Sequence, residues 1–271
     1  MAIQAEKGIA FRALHARTDA FIIPNPWDPG TARLLQQEGF EALATTSAGY
    51  AFSVGRRDNQ IGRDEMLAHV RAIVAASDLP VSADLENGYG DDFATVAETY
   101  RLAAACGLAG ASIEDATQRT DEPLYEIARA ADRVRAAVEA VRALPFPFTL
   151  TARAENFLVG RPDLNDAIRR LQAYQEAGAD VLYAPGLTRR EDIAAVVSSV
   201  DRPVNVIMGL RGADLSLAEL SALGVKRVSI GSALSRAALG AFLRAAREMR
   251  EHGTFSFADD AVPFAEITGR F

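Results

Sequence analysis

Eight short apolar runs, each followed by a stretch with helical spacing, set the strongest limit on what this chain can fold into. The runs lie at 20–24 (AFIIP), 41–47 (EALATTS), 80–86 (PVSADLE), 110–114 (GASIE), 147–153 (PFTLTAR), 180–185 (DVLYAP), 203–208 (PVNVIM) and 226–230 (KRVSI). Their shortness and β-branched content mark them as strands. After the fifth, Leu164, Ala167, Ile168, Leu171 and Tyr174 recur at three- and four-residue steps behind Asp163, a candidate helix cap. CGLAGASIE, AGADVLYAP and LGVKRVSIG each place a glycine where a helix must stop before a strand begins. Eight strand-then-helix units in 271 residues predict an α/β fold, a (β/α)₈ barrel of the TIM type spanning 1–271 as one domain, with 3–17 as an extra N-terminal helix. A doubly wound open sheet is the rival, but no G-x-G-x-x-G follows the first strand.

Charge and composition exclude several partners. A net charge of −7 and a pI near 5.1, with lysines and arginines scattered, leave no basic face for nucleic acid. No apolar stretch approaches the roughly 20 residues that span a bilayer, and the N-terminus lacks a signal-peptide core, so no membrane partner is expected. The single cysteine, Cys106, cannot form an internal disulfide, which agrees with a reducing, cytoplasmic setting.

In a barrel, chemistry sits at the C-terminal ends of the strands. Period-two parity puts Ser82, Asp84 and Glu86 on one face of strand three, with Val81, Ala83 and Leu85 toward the helices. The same parity gives Ser112 and Glu114 on strand four, Thr149, Thr151 and Arg153 on strand five, and Thr45 and Ser47 on strand two. These polar sets converge inside the barrel mouth. Asp84, Glu86 and Glu114 exceed what one guanidinium can balance, and a hard divalent cation with oxygen ligands supplies the missing charge. Mg²⁺, held largely through water, is the natural ion, with Mn²⁺ as the alternative.

Other conspicuous residues have plainer readings. Asp28 before Pro29 is an ordinary N-cap with proline at N1. Cys106 ends a helical run as a small packing residue. His15, His69 and His252 all fall within predicted helices, away from the strand ends, so histidine catalysis has no support. SIGSALSR, 229–236, could cradle a phosphate at a helix N-terminus, although Ser and Gly equally suit a cap.

DLENGYG at 84–90 resembles the D-A-D-T-G-Y-G signature of the isocitrate lyase and phosphoenolpyruvate mutase superfamily. The likeness extends to GRRDNQIGRDEM at 55–66, SIED at 112–115 and TARAENF at 151–157, in the family's order and spacing, and covers nearly the whole chain. Members are barrels, commonly dimers or tetramers that exchange a C-terminal helix, and use Mg²⁺ to bind 2-oxo acids or the enolate of pyruvate. The resemblance therefore implies a homodimer or homotetramer with such a helix swap, and a small 2-oxo or dicarboxylic acid as ligand. It implies that Asp84 approaches the metal most closely, with Glu86 and Glu114 holding its waters. Arg153 would meet the substrate's oxygen or carboxylate, Thr45, Thr46 and Ser47 would cradle its carboxylate, and Asp58 would stand over the reacting carbon. Asn205 matches a substrate-side asparagine of the lyases.

Departures from the family pattern narrow the chemistry. The family's isocitrate and methylisocitrate lyases carry a K-x-C-G-H-type loop after the fourth strand; this chain reads DATQRTDEPLY there, without cysteine, histidine or lysine. Phosphoenolpyruvate mutases have a lysine and an asparagine in that loop and a histidine after the sixth strand, where this chain has Ala184, Pro185 and Gly186. The second acid of the signature is Glu86 instead of aspartate. Chemistry needing few side chains is then favoured: decarboxylation or carbon–carbon cleavage of a small 2-oxo or 2-hydroxy diacid, oxaloacetate first, through a pyruvate-type enolate stabilised by the cation and Arg153. Retro-aldol cleavage would also need a base, Asp58 or Glu114. The alternatives are a phosphonopyruvate-type P–C bond enzyme and a 2-oxo acid binding protein with little turnover.

Overall fold

A computed structural model describes residues 3–271. Eight parallel strands run in chain order: β1 (Phe21–Ile23), β2 (Leu43–Ala44), β3 (Val81–Asp84), β4 (Gly110–Glu114), β5 (Thr149–Arg153), β6 (Val181–Tyr183), β7 (Val204–Ile207) and β8 (Arg227–Ser229). Helix α1 (Gln4–His15) precedes them, and α2 (Pro29–Gln37) follows β1. Two helices, α3 (Ser47–Ser53) and α4 (Arg63–Ala76), separate β2 from β3. The remaining crossovers are α5 (Phe93–Ala104), α6 (Ile127–Arg142), α7 (Leu164–Glu176), α8 (Arg190–Ser198) and α9 (Leu217–Ala222), and the chain finishes with α10 (Ala233–His252) and α11 (Phe264–Thr268).

From β2 to β8 each strand pairs with the next, and β8 returns to β1, so the sheet order is β1-β8-β7-β6-β5-β4-β3-β2. Between β1 and β2 the seam is closed just beyond the strands, where Ala44 N–H donates to Pro24 O at 3.0 Å and Asn25 Nδ2 donates to Thr45 O at 3.0 Å. This is the expected TIM-type barrel; a doubly wound sheet would reverse direction in mid-order.

Parity sorts the residues as the sequence predicts on the central strands. Leu150, Ala152, Ile113 and Ala83 are buried toward the helices, while Ser82, Ser112, Thr149 and Thr151 are buried inside. Register continues this inner set as one row: Glu114 pairs with Arg153, Arg153 with Tyr183, Tyr183 with Asn205, and Asn205 with Arg227. Barrels usually fill that space with branched apolar side chains. Here small polar and charged groups leave a cavity of about 170 Å³.

Below the cavity, α1 plugs the barrel with Phe11 and Leu14 against Phe21, Ile23, Ala42 and Ala109. Gly110 opens β4 because a Cβ there would lie 2.5 Å from Thr149 O and 2.9 Å from the Phe11 ring. Gly107, Gly178 and Gly224 end their helices with φ of 89°, 102° and 89°, as their sequence phrasing implies. Asp28 and Asp163 cap α2 and α7. Cys106 is buried just past the end of α5.

Two sequence expectations are corrected. The second strand stops at Ala44, and Ser47 begins α3 behind the Thr46 cap, whose Oγ1 accepts from Gly49 N–H at 3.2 Å. The third strand stops at Asp84, and Glu86 adopts φ 49°, so strand parity does not reach it. In both cases a tight turn at the barrel rim displaces the extended backbone that apolar content suggested.

Candidate active site

Asp84, last residue of β3, is gripped on both oxygens. Arg153 Nη1 donates to Oδ1 at 2.9 Å, Ser47 Oγ lies 3.0 Å from Oδ2, and the Asp84 N–H donates to Thr45 Oγ1 at 2.9 Å. Ser47 Oγ also lies 3.0 Å from Asp58 Oδ1. One hydroxyl has one proton, so it can donate to only one of the two acids; Asp58 Oδ1 also accepts from Asn59 N–H at 3.1 Å. Burial, and then the charge of Asp84, push the Asp58 carboxyl above its ordinary value.

Behind Asp84 lie more carboxylates than cations. Glu86 is buried; its Oε2 accepts from Gln118 Nε2 at 2.8 Å, while Oε1 is buried with no partner. Burial, with Asp84 adding to it, raises Glu86 to about 8. Burial likewise lifts Glu114 well above the usual range, against the pull of Arg153, whose Nη1 is 3.3 Å away. Glu155 joins them: its Oε1 accepts from Arg153 Nε at 2.8 Å, and burial raises it to about 7. Among the described residues, Arg153 is the one cation in contact with this group.

Those facts test the fit of a metal. Among the described residues no three His, Cys, Asp or Glu side chains converge closely enough to ligate one ion directly. The unpartnered Glu86 oxygen and the unbalanced negative charge nevertheless suit a hard cation reached through its own water shell. Asp84, Glu86 and Glu114 are the residues that could hold it, with all-oxygen donors as Mg²⁺ prefers.

Of the sequence-predicted residues, Thr45, Thr46, Ser47, Asp58, Asp84, Arg153 and Asn205 all border the cavity. Glu86 and Glu114 stand outside that lining. Asn205 sits low in the barrel, its Oδ1 accepting from Arg227 Nε at 2.8 Å and its Nδ2 donating to Ser229 Oγ at 3.0 Å.

Several residues escaped the sequence reading. Tyr183 packs beneath Arg153, whose guanidinium carbon is 5.3 Å from the ring centre. Asn25 accepts from the N–H groups of Ile230 and Gly231, both at 3.0 Å, and ties β1 to the end of β8. Asp115, beside Glu114, accepts from Glu155 N–H at 2.8 Å, Arg170 Nη1 at 3.0 Å and Tyr174 Oη at 2.5 Å, locking the rims of β4 and β5 to α7. Arg227 lies at the cavity floor. Parity on KRVSI could have found it, since Arg227 and Ser229 share a face.

Asp84 and Arg153 at strand ends, bordering a small polar cavity, place the chain among parallel (β/α)₈ barrels with a polar site at the C-terminal face. Residues 11–250 match the family model for phosphoenolpyruvate phosphomutase, and the chain belongs to that family. It is 31% identical over 205 residues to the 2-methylisocitrate lyase of Escherichia coli (strain K12), covering 73% of this chain and 68% of the relative. It is 28% identical over 228 residues to the oxaloacetate decarboxylase of Paraburkholderia xenovorans (strain LB400), covering 82% and 74%. Among solved structures, a protein of Burkholderia cenocepacia J2315 provisionally classed as a lyase/mutase is 66% identical, with a TM-score of 0.96 over 98% of this chain and 95% of that one. A phosphonopyruvate hydrolase in complex with oxalate and Mg²⁺ is 27% identical, with a TM-score of 0.85 over 97% and 95%. The superfamily thus includes lyases and mutases, and a hydrolase solved with Mg²⁺. No helix among the described residues is long and apolar enough to cross a membrane.

Proposed function

We propose that this chain is a Mg²⁺-dependent carbon–carbon lyase of the cytoplasm, acting on a small 2-oxo or 2-hydroxy diacid, with decarboxylation of oxaloacetate as its first reaction. The observation that carries this reading is the pairing of an intact acid and arginine cluster with a loop, 115–125, that holds no cysteine, histidine or lysine. When bound, the cation supplies an electrophile that draws negative charge onto the substrate's keto oxygen. Asp84 would hold it, with Glu86 and Glu114 reaching it through its waters.

The chain's own residues do the rest. Arg153, fixed by Asp84, Glu114 and Glu155, faces the forming enolate and steadies its charge. Thr45, Thr46 and Ser47 hold the substrate against the wall that carries Asp84. In decarboxylation the bond to the departing carboxylate breaks, CO₂ leaves, and its electron pair becomes the enolate. The enolate carbon then takes the proton that Asp58 holds, and water restores it. Cleavage of a substituted malate would run the same residues with Asp58 ionised as base.

Release of CO₂ from oxaloacetate, measured in Mg²⁺, in chelator and with Asp84→Ala, tests the reading. Rapid release only with metal and the native residue is expected; equal rates in all three conditions reject it. Tight, metal-dependent binding of pyruvate or 2-oxoglutarate without product would mark a binding protein instead.

A further inference from the structure

Arg227 is a buried cation to which the reaction above gives no task. It is 5% exposed, borders the cavity and sits at its floor. All of its partners are neutral. Nε donates to Asn205 Oδ1 at 2.8 Å, Nη2 donates to Thr151 Oγ1 at 2.9 Å, and Nη1 lies 3.4 Å from His15 Nε2. His15 Nδ1 is 2.8 Å from Phe11 O, which fixes the proton on Nδ1 and leaves Nε2 as an acceptor on an uncharged ring. Among the described residues no carboxylate lies within 4.0 Å of the guanidinium.

The contrast with Arg153 decides what this means. Arg153 also borders the cavity, with Asp84, Glu114 and Glu155 paired to it. Arg227 has no carboxylate beside it. A guanidinium carries five N–H donors, and only three are accounted for here. Burial pulls it down to about 10, which still leaves it charged at neutral pH. A buried charge of this kind is stable when an anion completes it.

We infer that Arg227 is an anion subsite of the cavity and holds the carboxylate that the substrate keeps in its product. This rests on the reading of the chain as an enzyme of small oxo acids and deepens it. A carboxylate paired with a guanidinium has its electrons stabilised in place and is a poor source of CO₂, so the group on Arg227 is not the one that departs. The other end of a diacid then meets Ser47, Asp58 and Asp84, where Asp58 can supply the proton that replaces CO₂. The 170 Å³ cavity restricts both ends to one short molecule.

Isothermal titration of the intact chain with pyruvate, oxalate and uncharged pyruvamide, in Mg²⁺ and again in chelator, tests the subsite. Arg227→Met should weaken pyruvate and oxalate by about tenfold or more in both buffers, while pyruvamide changes by less than roughly twofold. A folded Arg227→Met that binds pyruvate as the wild type does overturns the inference. Should that variant fail to fold, the wild type decides: in chelator pyruvate should bind about tenfold tighter than pyruvamide, and no such preference overturns it. Oxaloacetate turnover is followed on the same samples. No CO₂ from a wild type whose pyruvate binding still depends on Arg227 would remove the decarboxylase and leave the subsite standing.

Discussion

Ser47 has one hydroxyl proton and two carboxylates to serve. Burial and then the neighbouring Asp84 charge push the Asp58 carboxyl above its ordinary value, which suits it to carry the proton of the proposed reaction. Asp58→Asn should therefore lower turnover of oxaloacetate by about 10²-fold, a typical loss for a general acid, with pyruvate affinity nearly unchanged; steady-state kinetics beside titration will separate the two. His15 gives a second prediction at this scale. Burial, reinforced by the Arg227 charge, holds it down to about 3, whereas an unfolded chain protonates it near its usual 6.5. Between those values the unfolded state binds the extra proton, so this contribution to stability is complete above pH 6.5 and is lost as pH falls toward 3. In urea the wild type should lose stability relative to His15→Gln as pH falls from about 6.5 to 4, by about 1.4 kcal/mol per pH unit.

Helix α10 behaves unlike the other crossover helices. Of its twenty residues only Ser235 is buried, while Leu239, Phe242, Leu243 and Met249 are exposed, Phe242 by 66%. A row of apolar side chains at helical spacing on an exposed face is a surface for association. Exchange of this helix between subunits, expected from the family likeness, would cover it. Light scattering should then give a dimer or tetramer, and Phe242→Asp should shift it toward monomer; a wild-type monomer at micromolar concentration would reject the exchange. Where α1 meets β4, Gly110→Ala tests the plug beneath the barrel. Its new methyl would strike Thr149 O and the Phe11 ring, and a loss of about 1–3 kcal/mol in chemical denaturation is expected for such overpacking.

Across the whole molecule, the acid cluster behind Asp84 works against the fold until its charge is balanced. A bound cation should supply that balance, so Mg²⁺ should raise the thermal midpoint in a concentration-dependent way, and Asp84→Ala should abolish the rise. The barrel and the inward face of its central strands, with Asp84 and Arg153 on it, were legible in the sequence. Strand periodicity and the repeated unit are local signals that survive folding, because each strand must turn one face to the helices and one to the axis. Helix caps at Asp28 and Asp163 were legible for the same local reason. Tertiary structure alone decided the remainder. It ended β2 early so that Ser47 starts a helix and reaches two acids, and it turned Glu86 into the left-handed region, off the strand's parity. It also gave Arg153 three carboxylates and Arg227 none, although both are inward arginines on barrel strands. Charge balance at a buried group depends on neighbours brought from distant strands, and no local pattern in one strand records which neighbours those will be.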